Sequence, residues 1–153
     1  MMFFSKIIAI AACILLAKAD YKALPSPLAP TQTASLTIRT TNLRNNKGTW
    51  RIAVYNSPKN FLGDIPPFPA IAPIRAGKSE CTITNLPAGD YQIAVFHDEN
   101  NNLKMDYWLG VPSEGVGFSN NPSIWGKPSY EECTFSLKAG EVRGMSITMK
   151  YLL

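Results

Sequence analysis

Tyr91-Gln92-Ile93-Ala94-Val95-Phe96 is the stretch from which the fold can be read. Five of its six side chains are apolar or aromatic, the types that fit a pleated surface. It is the most apolar candidate strand in the chain and is expected at the centre of a sheet. The turn Leu86-Pro87-Ala88-Gly89-Asp90 precedes it, and before that Cys81-Thr82-Ile83-Thr84 alternates with period two. Further upstream, Ser35-Leu36-Thr37-Ile38-Arg39-Thr40 alternates in the same way, the pattern of a half-buried strand. Asn45-Asn46-Lys47-Gly48 reads as a turn, because Asn and Gly accept positive φ. Trp50 to Tyr55 then forms the next strand, and these two strands are expected to pair as a hairpin.

Between Ser57 and Pro73 lie five prolines, each without the N–H that a sheet ladder needs, so a loop or edge is expected there. A short strand is expected near Ile71 to Arg75, followed by a turn at Ala76-Gly77-Lys78. Glu132 to Leu137 and Met145 to Tyr151 read as the last two strands, around a turn at Lys138 to Glu141. Residues 98 to 130 form a long irregular segment, a length that points to function. About seven strands without an amphipathic helix imply an all-β immunoglobulin-like sandwich, with two sheets packed face to face.

The N-terminus carries a different signal. Lys6 precedes an uncharged run from Ile7 to Ala17, and Ala17-Lys18-Ala19 has small residues at cleavage spacing. That is the layout of a secretory signal peptide, and the run is shorter than the roughly 20 residues of a membrane span. Lipidation at Cys13 is the alternative. The expected organisation is a signal over 1–19, a flexible lead over 20–34 and a sandwich over 35–153. This places the mature chain outside the cytoplasm, periplasmic or secreted, with no membrane span after cleavage. Without Lys6 and Lys18, thirteen basic residues face eleven acidic ones. An excess of two offers no electrostatic footprint for nucleic acid.

Three blocks together resemble a known family. They are Leu43 to Gly48 continuing into Ile52 to Ser57, Leu86 to Tyr91 running into Ala94-Val95-Phe96-His97-Asp98-Glu99-Asn100, and Leu109 to Asn121 with its Gly-Phe-Ser-Asn-Asn ending. The chain from about 35 to 151 is similar to the secreted bacterial family catalogued as domain of unknown function 2141. That resemblance implies a prealbumin-like sandwich in an exported protein and brings no established activity.

The segment Asp98-Glu99-Asn100-Asn101-Asn102-Leu103-Lys104-Met105-Asp106 offers side-chain oxygens from Asp98, Asn100, Asn102 and Asp106, with the Lys104 carbonyl between them. Ca²⁺ prefers such hard oxygen ligands at that spacing. The family resemblance implies glycines at relative positions 4 and 6, where Asn101 and Leu103 stand, and Leu takes positive φ only with strain. The acid a full site would carry at relative position 12 is replaced by Leu109. The other reading is an Asx-rich turn whose side chains bond their own backbone.

His97 is the only histidine and reads as structural, since it and Asp98 point to opposite sides of a strand. Cys81 and Cys133 fall in phase with apolar neighbours, and an oxidising compartment permits a disulfide between them. In the long segment, His97, Trp108, Glu114, Phe118, Asn120, Asn121 and Trp125 are candidates for contact with a protein or carbohydrate ligand. They equally suit pinning the loop to the sandwich. The leading expectation is a non-enzymatic binding module using residues 97–130. A calcium-stabilised structural module is the second, and a hydrolase using Asp98, Asp106 or Glu114 as acid and base is the third.

Overall fold

A computed structural model describes residues 32–124 and 126–153. The expected signal, nearly all of the lead, Cys13 and Trp125 lie outside the described residues.

The alternating stretches become strands, and the fold is an all-β sandwich. One sheet joins β1 (Ala34–Thr40), β4 (Ser79–Leu86) and β10 (Val142–Ser146) in the order β10-β1-β4. The other joins β2 (Thr49–Tyr55), β3 (Phe68–Pro73), β5 (Gly89–Asp98) and β8 (Val116–Phe118) in the order β3-β2-β5-β8, with β9 (Phe135–Leu137) also pairing β5. As its apolar run requires, β5 is central. A separate two-stranded ribbon, β6 (Tyr107–Trp108) and β7 (Val111–Pro112), rises from the long segment.

Leu36 and Ile38 of β1 face Trp50, Ile52 and Val54 of β2 and Ile93 and Val95 of β5 across one shared core. Each fully buried side chain of this size stabilises the fold by roughly 1.5–3 kcal/mol. A second, smaller cluster contains Val116, Phe118 and Cys133, with Ala94 and Phe96 packed against it. Ala94 and Phe96 alternate along β5 with the core residues Ile93 and Val95, so this cluster lies on the far face of the larger sheet.

Several expectations change. β1 and β2 do not form a hairpin. β1 pairs with β4 and β10, whereas β2 pairs with β3 and β5. The connection between them is too long for a tight turn, and it buries Leu43 in the core while Leu43 N–H donates to the Gly77 carbonyl at 3.1 Å. The strand expected at Glu132 to Leu137 is cut short by one helical turn, α1 (Tyr130–Cys133). Ser129 caps it, and Glu132 returns a bond to the Ser129 backbone, a capping box that outweighs local strand propensity. The last expected strand ends at Ser146. Residues beyond it are held by amide side chains, with Asn121 spanning Ser146 C=O and Thr148 N–H and Asn42 gripping both polar groups of Met149.

Cys81 and Cys133 are free. The expected bridge does not form, because Cys81 packs against the core between the sheets and Cys133 belongs to the cluster beyond the five-stranded sheet. That arrangement leaves the two Cα atoms without the roughly 4.4–6.8 Å approach a disulfide needs. Burial, with a smaller contribution from Glu132, pushes the Cys133 thiol up to about 11.

Candidate functional site

Strand register builds the outer face of the larger sheet. Ala53 of β2 lies opposite Ala94 of β5, and Ala94 lies opposite Phe118 of β8. The next row on the same face runs from Arg51 through Phe96 to Val116. Two adjacent alanines leave a dent between larger neighbours. The long segment contributes Met105, Tyr107, Pro112, Ile124 and Pro128 to the lining around it, joined by Leu62 and Leu152. The result is an apolar pocket of about 490 Å³, within the roughly 300–1,000 Å³ of small-molecule sites.

The loop is fastened to the sheet beside this pocket. Asp98, fully buried at the end of β5, accepts from Arg51 Nε at 2.6 Å and from the backbone N–H groups of Asn102 and Leu103, each at 3.1 Å. Asn100 Oδ1 accepts from Asn102 N–H at 3.0 Å, and Asn102 Oδ1 accepts from Lys104 N–H at 2.9 Å. The amide groups of Asn100 and Asn102 donate to the two oxygens of Asp106 at 2.7 and 2.8 Å. Glu114 is buried and clasps the loop at both ends, accepting from Glu99 N–H at 2.9 Å and Asp106 N–H at 3.3 Å. Burial raises the Glu114 carboxyl above its ordinary value, the two backbone N–H groups oppose this, and Asp106 and Asp98 add to the rise.

The residues named for calcium are thus brought together, with Asn101 and Leu103 at φ 58° and 70°, the left-handed pair such a loop requires. Their polar groups are already engaged. The Asp106 carboxylate holds two amide N–H groups, and Asp98 holds a guanidinium. Among the described residues no group of three His, Cys, Asp or Glu side chains is disposed to hold a metal. Among the described residues these donors are engaged with one another and with backbone N–H groups, the pattern of a hydrogen-bonded Asx loop. Of the three carboxylates, Asp98 and Glu114 are turned onto backbone N–H groups and Asp106 onto the side-chain amides of Asn100 and Asn102.

The remaining candidates divide. His97 is buried on the inner face, away from Asp98, with Nε2 2.8 Å from the Lys47 carbonyl and Nδ1 2.9 Å from the Tyr151 hydroxyl. A carbonyl only accepts, so Nε2 carries the proton, and the ring ties two segments together. Asn120 and Asn121 are clamps as well, the former donating to the Glu132 and Thr134 carbonyls. Phe118 lines the pocket. Trp108 projects into solvent at the tip of the β6–β7 ribbon, with Tyr107 63% and Leu109 83% exposed. Tyr130 does pin a loop, packing edge-on against Phe61, which packs in turn against Tyr55.

Sequence reasoning missed the pocket floor, Ala53 and Ala94, and one wall residue, Lys127. The floor had a visible signal, namely that Tyr55, Ala94 and Phe96 are apolar on the face opposite the core.

The sequence model of a family described as "Uncharacterized protein conserved in bacteria (DUF2141)" matches residues 38–144. No curated protein and no solved structure matches the chain.

Proposed function

The chain belongs to the DUF2141 family of bacterial proteins, and we propose that it is an exported, non-enzymatic binding module that holds an apolar ligand under its 97–130 segment. The observation that carries this reading is the dent at Ala53 and Ala94, roofed by a tethered loop yet left unfilled by the described residues. Interiors of proteins are otherwise close-packed, and apolar surface kept open on a soluble fold marks a site of interaction. An apolar lining suits a hydrocarbon ligand better than a carbohydrate, which needs polar groups facing it. The layout of residues 1–19 supports export, and among the described residues no helix is long and apolar enough to cross a membrane. The commitment of Asp98 and Glu114 to backbone N–H groups supports a role without catalysis.

A neutral solvatochromic dye tests the proposal. Its fluorescence should rise and saturate with the wild-type protein. Ala53→Leu adds bulk to the floor without touching the core between the sheets, and should weaken dye binding roughly tenfold or more, in line with overpacking costs of about 1–3 kcal/mol. Equal dye affinity in both proteins, with unchanged circular dichroism, would remove the pocket from the account.

A further inference from the structure

We infer that the ligand is a single-chain amphiphile with a monoanionic head, a long-chain monocarboxylate, seated with its tail on Ala53 and Ala94 and its head at Lys127. This rests on the reading of the pocket as an apolar-ligand site.

Three observations lead to it. Among the described residues lining the pocket, Lys127 is the only charged one, and no acidic side chain accompanies it. It is exposed, so a bound head group would remain in contact with water while the tail is buried. The second observation is the opening. Gly110 on the β6–β7 ribbon and Gly126 beside Lys127 both line the pocket, and a Cβ at either would meet no heavy atom within 4 Å. Neither residue brings a side chain to narrow the pocket that Lys127 lines. The third is size. A pocket of about 490 Å³ lies in the lower half of the range for small-molecule sites, which suits one acyl chain and not a two-chain lipid.

The charge count selects the head. One ammonium balances one negative charge, whereas a phosphate monoester carries about −1.5 to −2 at neutral pH. Lys also has an apolar stem that can lie along the pocket rim while its ammonium reaches solvent. The stem therefore extends the hydrophobic wall up to the carboxylate.

Isothermal titration with decanoate, octanoate and 1-decanol tests the inference. Decanoate should bind about fivefold tighter than 1-decanol, the upper range for a solvent-exposed ion pair. The preference should shrink in 1 M salt, where the screening length falls to about 3 Å. Octanoate should bind roughly 15-fold more weakly than decanoate, about fourfold for each lost methylene. Lys127→Met keeps the stem and removes the charge, so it should abolish the preference for decanoate while leaving 1-decanol binding unchanged. Lys127→Arg should retain the preference. Equal affinity of the wild type for decanoate and 1-decanol overturns the anionic head and leaves the apolar pocket standing. A preference that survives in Lys127→Met overturns the role of Lys127. Failure of all three compounds to bind overturns both this inference and the binding reading beneath it.

Discussion

Asp98→Ala should lower folding stability by about 3 kcal/mol, the low end of the cost of breaking a buried ion pair. The low end applies because the Arg51 side chain is 18% exposed and can be partly hydrated after the loss. The variant also strands the N–H groups of Asn102 and Leu103, both of which Asp98 accepts. For a domain of this size the melting temperature should fall by roughly 10–15 °C. The fall should be the same with 10 mM Ca²⁺ as with chelator, and wild-type protein should show no calcium-dependent shift. Adding Arg51→Met to Asp98→Ala should recover part of the loss, since removing both charges leaves neither one unpaired. A calcium-dependent rise in wild type that vanishes in Asp98→Ala would instead establish the loop as a cation site.

Gly48→Ala should be at least as damaging. Gly48 has φ 68°, and a Cβ there would stand 1.8 Å from the Asp98 carbonyl oxygen. Left-handed backbone costs a non-glycine residue about 1–2 kcal/mol, and this contact is with main chain that cannot rotate away. The collision falls where β2 and β5 meet, at the pair Thr49 and Asp98, and beside the Lys47 carbonyl that holds His97. A loss of about 3 kcal/mol or more is expected once the overpacking cost is included. Gly110→Ala is the control. Its φ of 81° carries the same conformational cost, but nothing lies within 4 Å, so the loss should stay near 1–2 kcal/mol. Equal losses in the two variants, measured by urea denaturation, would show that the close approach at Gly48 is not limiting.

Strands were legible where period two is clear. Leu36 and Ile38 in β1, and Ile52 and Val54 in β2, face the core as their spacing required. Pairing was less legible, because the turn residues Asn45 to Gly48 suit both a hairpin and a crossing between sheets. What decides is Leu43, an apolar residue in a polar stretch, which is drawn into the core. At Ser129 to Cys133 the capping signal was present in the sequence, but a four-residue helix is too short to show helical periodicity.

Much of the site was hidden for a different reason. Asp98, Asn100, Asn102 and Asp106 were recognisable as an oxygen-rich loop, but a left-handed Leu103 was not, because its side chain argues against the positive φ that it adopts. Whether those oxygens face a cation or N–H groups depends on Arg51, which comes from another strand 47 positions away. Likewise the pocket exists because Ala53 and Ala94 are neighbours across the sheet, a juxtaposition made by strand register. The apolar face of β5 hinted that something covers it, while the space left beneath that cover was not readable.

Methyl-detected NMR during a decanoate titration reads directly whether the outer face of the larger sheet receives an apolar ligand. Saturable shifts are expected at the methyl groups of Ala53, Ala94 and Val116, with Ala34 and Ala72 in the core between the sheets unmoved. Shifts confined to exposed residues elsewhere, such as Ile71 and Val142, or no saturable shift at the three floor and wall positions, would contradict binding at that face.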